Sequence, residues 1–259
     1  MSSRERYERF LRDRHRHNHA RRSAASHAGF LLPHLKPGMR LLDLGCGPAS
    51  ITAGLGDGAI GVDVDPGPSD AVPLVAAEVY RLPFSDATFD AVFCCAVLQH
   101  LNDPLAALRE ARRLCRAGAV IGVADADWGG QLRVPNDPLL HRGQVIQEAL
   151  RGDASPYVGA RLRGWLHEAG FVNASSAAKG SGGGDLVTTP RQAAFNAAMF
   201  DSPDTLAVVV EEGIATVDEM LAVAEAWRRW GDDPGAVAAG WWFEALAWVP
   251  HDVSTSADT

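Results

Sequence analysis

Residues 41–50 read LLDLGCGPAS. A short apolar run ends in an acid and breaks into a turn with two glycines. The run predicts a buried β-strand. Gly45 and Gly47 let the backbone turn sharply and let a ligand come close to it. Working outward, Ser50–Leu55 fits one short helix, and AIGVDVD at 59–65 reads as a second buried strand. Val72–Ala76 reads as a third strand, and ATFDAVFCCAVLQHL at 87–101 contains a fourth. Residues 104–116 (PLAALREARRLCR) form an amphipathic helix, with Pro104 in its first turn and Gly118 beyond its end. AVIGVADA at 119–126 is a fifth strand. Strand and helix alternate throughout this stretch. That predicts an α/β fold with a doubly wound parallel sheet and helices on both faces.

The flanks differ. Residues 4–32 read as helical, with Tyr7, Phe10 and Leu11 on one face and Ala24, Ala28, Phe30 and Leu31 continuing the apolar stripe. Residues 138–151 and 157–169 also read as helices, and Phe171–Lys179 as a sixth strand. GSGGGD at 180–185 predicts a flexible turn. Residues 190–231 are helical and acidic. WWFEALAWVP at 241–250 alternates, with Trp242, Glu244, Leu246 and Trp248 on one face, which predicts a seventh strand. The expected organisation is a helical lid over 1–33, a core over 34–179 and a helical insert or cap over 185–240. The last core strand follows at 241–250 and a disordered tail at 251–259.

No apolar run is long enough for a membrane helix, and MSSRERYERF has no secretory h-region, so no membrane and a cytoplasmic location are expected. Cys46, Cys94, Cys95 and Cys115 lack metal-ligand spacing and read as reduced, mostly buried thiols. The net charge is −8, but residues 1–22 hold eight Arg against Glu5, Glu8 and Asp13, leaving −13 for the remainder. So acidic a body repels a phosphate backbone, and nucleic acid is not an expected partner. A small molecule is. The oligomeric state is not set by these features.

A ligand is expected at the carboxyl ends of the strands. Asp63 ends the second strand, where a carboxylate accepts from ribose hydroxyls. Two cofactors compete. A dinucleotide site wants G-x-G-x-x-G, and the sixth position here is Ser50. S-adenosylmethionine has no phosphate but carries an ammonium, a carboxylate and a sulfonium, and Asp43 suits the ammonium. The chemistry therefore favours S-adenosylmethionine over a nicotinamide-dependent oxidoreductase. A relative that binds the cofactor without transferring methyl, pericyclase-like or regulatory, has the same residues.

DLGCGP, GVDVD and RLPFSDATFDAVFCCAVLQHLNDPLAALREARRLCRAGA together resemble the class I S-adenosylmethionine-dependent methyltransferases of the ubiquinone/menaquinone-biosynthesis-like superfamily. HARRSAASHAGFLLPHLKPG, ADADWGGQLRVPNDPLL, GARLRGWLHEAGF and the terminal Trp-rich stretch are similar to one small-molecule group of bacteria and fungi. The resemblance implies a Rossmann-like sheet of seven mostly parallel strands. It implies that Asp43, Gly45, Cys46 and Gly47 form the cofactor turn, that Asp63 binds the ribose and that Val64 lies against the adenine. Glu78 and Val79 replace the Asp-Ala that usually precedes the LPF stretch, and Glu78 can still accept from the adenine amino group. Cys95 and Ala96 would line the methionine moiety. Arg22 is the candidate for its carboxylate, which a guanidinium binds bidentately. Ala49 stands at the third glycine. Between Asp65 and Val72 there is no room for the usual helix. Ala96 and Gln99 stand where some quinone O-methyltransferases hold a metal with two Glu, so no metal is carried over.

Methyl transfer is an in-line displacement, and a base is needed only when the nucleophile must lose a proton. His100, a few residues beyond the fourth strand, is the candidate base. His19 is the candidate to close over the acceptor. Trp128, after the fifth strand beside Asp125 and Asp127, is the candidate to stack on an aromatic substrate. The HRHNH run at 15–19 reads as a solvated basic helix. Trp227, Trp230, Trp241, Trp242 and Trp248 read as packing.

Overall fold

The computed structural model describes residues 1–251, with the side chains of residues 15–18 outside that description; the tail from residue 252 lies outside the described residues. The chain starts with helices α1 (Ser3–His19) and α2 (Ala24–His27), so the stripe expected over 4–32 is two helices and not one. Ser23 caps α2 reciprocally with Ser26. Then come β1 (Leu41–Leu44), a 3₁₀ turn (Thr52–Gly54), β2 (Ala59–Asp63), β3 (Leu74–Ala76) and β4 (Phe89–Cys95). A second 3₁₀ turn (Leu98–His100) leads to α3 (Pro104–Leu114), which Asp103 caps through its Oδ1 to the Ala106 amide at 2.9 Å. β5 (Cys115–Val134), α4 (Pro138–Ala149), α5 (Leu162–Glu168) and β6 (Val172–Gly183) follow. The chain continues with α6 (Thr188–Phe200), α7 (Pro203–Glu211), α8 (Val217–Asp232) and β7 (Val237–Trp248).

The seven strands form one sheet in the order β3-β2-β1-β4-β5-β7-β6. β1 runs parallel to β2 and β4, β2 to β3, and β4 to β5. Gly118 N donates to Val249 O and Val249 N to Ala119 O, an antiparallel exchange that makes the sheet mixed. The doubly wound α/β expectation holds. No helix joins β2 to β3, as the short spacing between Asp65 and Val72 requires.

The chain divides into two compact units. The larger contains residues 16–126 and 157–179 and the described chain from residue 242. One face of its sheet packs Leu42, Val62, Phe89, Val92 and Ile121 against Leu108, Leu114, Leu162 and Leu166. The other face packs Leu41, Phe93, Cys95, Val120 and Ala124 against Ala24, Ala28, Leu31 and Ile51, with Trp242, Leu246 and Trp248 beside them. The alternation foreseen in the last strand is thus real. Gly122 lies beneath Leu31, whose Cδ2 would be 3.1 Å from an added Cβ, so a side chain there would require Leu31 to shift.

The smaller unit contains residues 1–15, 127–156 and 180–241. Its core is Leu140, Ile146, Phe200, Val209, Met220, Val223, Trp227 and Trp230, with Tyr7 from α1. α8 starts with a reciprocal cap between Thr216 and Glu219. This grouping takes 127–156 out of the core stretch expected over 34–179 and joins it to the 185–240 helices and to the first residues of the chain.

Candidate functional site

The site is built in the larger unit, where β1 and β2 end. The Gly45 and Cys46 amides both donate to Val62 O, at 2.7 and 3.0 Å, so the turn folds straight back onto β2. Gly45 has φ +68°, and a methyl there would collide with Val97 Cγ2 and lie 3.0 Å from its Cγ1. Gly47 has φ +51°, and an added Cβ would meet nothing within 4 Å. The first glycine is therefore required by packing. The second leaves an open stretch of backbone that a ligand can approach. Cys46, buried between them, is folded in over Gly61, where an added Cβ would lie 2.6 Å from its Sγ.

Asp63 clamps this turn. Its Oδ2 accepts from the Gly47 amide at 2.9 Å and its Oδ1 from the Asp65 amide at 3.0 Å. Each oxygen retains a lone pair for a further donor. Asp43 lies deeper, 3% exposed, and accepts from Thr52 Oγ1 at 2.5 Å. Burial pushes its pKa up to about 7, opposed by the Thr52 hydroxyl and reinforced by the Asp63 charge. So Asp43 braces the 3₁₀ turn from beneath. Val64 stands 64% exposed beyond β2, Glu78 is exposed, and Val79 is buried.

Two alanines take left-handed backbone at this edge. Ala49 has φ +58° at the third-glycine position, and Ala96 has φ +58° just past β4. Such conformations in non-glycine residues cost about 1–2 kcal/mol each and gather at functional turns. Ala96 N donates to Ala124 O at 2.8 Å. Its neighbour Cys95 is buried, and burial raises its thiol to about 12, so it is an uncharged wall. The charges acting on it come from Arg22, Asp125, Asp43 and Glu244.

Arg22 is half-buried, its guanidinium 6.0 Å from the centre of the Trp242 ring. The His19 carbonyl accepts from Ser50 Oγ at 2.8 Å, which ties the end of α1 to the glycine turn. His100 is exposed at the end of its 3₁₀ turn. Asp125 is fully buried and accepts from the Gln99 amide at 3.2 Å, holding the loop that carries His100. Trp128 belongs to the other unit, where the Arg151 guanidinium lies 4.5 Å from its ring centre. No group of three His, Cys, Asp or Glu among the described residues could hold a metal ion.

The structure adds three residues that the sequence reading did not single out for the site. Glu244, on β7, is close enough for its charge to act on Cys95. Glu244 is 6% exposed and pairs with Lys179 Nζ at 2.6 Å. His27 packs edge-on against Trp242 at 6.3 Å. Burial, then Arg22, lowers the His27 pKa, with Glu244 opposing. The signal was present in the alternation of 242–248, where one acid interrupts an aromatic face.

Residues 42–123 match a family profile described as a methyltransferase domain. An uncharacterized methyltransferase of Schizosaccharomyces pombe is 31% identical over 252 residues, covering 83% of this chain and 86% of that protein. A demethylmenaquinone methyltransferase of Mycolicibacterium paratuberculosis is 31% identical over 150 residues, covering 53% of this chain and 65% of its own. Among solved structures, a SAM-dependent methyltransferase of Thermotoga maritima superposes with TM-score 0.52 at 17% identity, covering 93% of this chain and 97% of that one. The chain belongs to the methyltransferase family and has the Rossmann-like α/β fold of its S-adenosylmethionine-dependent class. The cofactor of that class is S-adenosylmethionine. The residues at the turn fit it: Gly47 leaves the backbone open, two carboxylates stand at the strand ends, and the Arg22 guanidinium is close enough for its charge to act on Cys95.

Proposed function

We propose that the chain transfers a methyl group from S-adenosylmethionine to a small, largely apolar acceptor. The observation that carries this is the open Gly47 turn, clamped by Asp63 and underlain by Asp43. When bound, the cofactor supplies an electrophilic methyl carbon on a sulfonium. Asp63 accepts from the ribose hydroxyls with the lone pairs that the Gly47 and Asp65 amides leave. Val64 gives the adenine an apolar face, Val79 lies buried behind it, and Glu78 accepts from its amino group. Asp43, beneath the turn, gains a reason to ionise when the ammonium binds above it, and Arg22 pairs with the carboxylate. Cys95 and Ala96 keep the methionine end dry and uncharged, which suits a reaction in which positive charge disappears from sulfur.

The acceptor reading is supported by the demethylmenaquinone methyltransferase likeness, since that relative is named for a quinone-type molecule. The net charge of −8 disfavours a nucleic-acid acceptor. His100 takes the proton of an O–H or N–H acceptor. His19, in the same unit as the turn, is the proposed acceptor contact. His27 is a second candidate base, its pKa lowered by burial and then by Arg22, with the Glu244 charge opposing. Formation of S-adenosylhomocysteine with a panel of phenols and quinols tests these roles. His100→Ala is expected to lower turnover about 10²–10⁴-fold with unchanged cofactor affinity. Full turnover in His100→Ala, together with a collapse in His27→Ala, would transfer the role to His27.

A further inference from the structure

In the smaller unit, β5 runs on to Val134, and the first turns of α4 follow at once. Between them lies a cavity of about 190 Å³ lined by Trp128, Gln131, Arg133, Asn136 and Gln144 among others. Arg133 dominates its chemistry. The guanidinium is half-buried, with Nη1 donating to Gln144 Oε1 at 3.3 Å and Nη2 to Gln131 Oε1. Its flat face lies 5.4 Å from the centre of the Trp227 ring. Both side-chain acceptors are neutral amides. Among the described residues no carboxylate pairs with Arg133, and burial alone lowers its pKa.

Its neighbours are treated differently. In the same unit Arg4 pairs with Glu212, Arg142 with Glu219, Arg228 with Asp201 and Arg229 with Asp137. Asp137 also borders the cavity, but its Oδ1 caps α4 through the Leu139 amide at 2.8 Å and its Oδ2 lies 3.7 Å from Arg229. A partly desolvated cation with no counter-charge is costly. An unsatisfied donor lies close by: Trp227 Nε1, on the ring that Arg133 covers, is buried without a hydrogen-bond partner.

We propose that this cavity is a binding subsite for the carboxylate of a small aromatic acid. Arg133 takes the carboxylate, and the amides of Gln131, Asn136 and Gln144 surround it. The indole of Trp128 lies against the ring of the acid. A single guanidinium beside the Asp137 charge suits a planar monoanion better than a doubly charged phosphate. The site is independent of the glycine turn, and its ligand need not be the methyl acceptor.

The full chain titrated with benzoate and, separately, with inorganic phosphate gives the test, read by tryptophan fluorescence and calorimetry. Saturable benzoate binding is expected, weakened at least about tenfold in Arg133→Gln, a loss in the range of a charge-assisted hydrogen bond. Gln144→Glu supplies a carboxylate to Arg133 within the chain, so it should fold stably and also lose benzoate. S-adenosylhomocysteine affinity, measured on each variant, should not change. If that affinity is absent in every variant while benzoate binds, the methyltransferase reading fails and this site stands. Equal benzoate binding in wild type, Arg133→Gln and Gln144→Glu would overturn the site. So would phosphate binding without benzoate binding, or no saturation by either at about 10 mM.

Discussion

Asp43 carries its carboxyl group where water hardly reaches it, and accepts a hydrogen bond from the Thr52 hydroxyl. Its pKa rises from 3.8 in the open chain to about 7 in the fold. The folded protein thus prefers the protonated acid. The stability this contributes is complete below about pH 3.8 and is lost as pH climbs through about 7. Asp43→Asn removes the buried charge and keeps an acceptor for Thr52. The variant should unfold at a higher temperature than wild type at pH 8, by the equivalent of a few kcal/mol, with the advantage shrinking towards pH 4. Calorimetric melting at several pH values checks this, and an equal or lower melting point at pH 8 would count against it. At this scale much was legible in the sequence. Asp43, Asp63 and the two glycines declare themselves through spacing alone. His27 and Lys179 did not, and Glu244 showed only as the one acid on an aromatic face, because a polar residue acquires its partners only when distant elements are placed side by side.

At the scale of elements, the glycine turn shows why composition matters at single positions. Gly45→Ala combines a left-handed backbone cost with a collision against Val97. The expected loss is roughly 2–4 kcal/mol of stability, measured by urea unfolding. Val97→Ala in the same chain should return part of it, since the collision is relieved while the backbone cost remains. A Gly45→Ala variant as stable as wild type would show that the turn opens without strain. The parallel strands were readable because buried strands are continuous apolar runs. β6 was not readable over its length. It continues through Ser181 and Gly183, in a stretch read as a flexible turn, and almost all of it is exposed. Exposed strands of small residues are held by backbone pairing, which leaves no side-chain pattern. β5 likewise outruns its apolar stretch and reaches Val134. The helix expected over Ser50–Leu55 is only the 3₁₀ turn Thr52–Gly54, where Ala24 packs against Gly54 and leaves no room for a side chain.

At the scale of the whole molecule, the larger unit is the part whose fold and cofactor turn follow from sequence. The smaller unit gathers three separated stretches, and no local periodicity announces which of them share a core. Its core residues were read as helical faces without their partners. No helix of the described chain is long and apolar enough to cross a membrane. All four cysteines are buried and unbridged, as their spacing suggested. The family places the chain among methyltransferases, and the proposed cofactor site is the turn at residues 43–47, with Asp63 as its ribose acceptor. Isothermal titration of the wild-type chain with S-adenosylmethionine and S-adenosylhomocysteine tests that directly, with Asp63→Ala alongside. One-to-one binding with a micromolar dissociation constant is expected, weakened in Asp63→Ala by about 1–3 kcal/mol. No binding at millimolar cofactor, or an unchanged constant in Asp63→Ala, would contradict it.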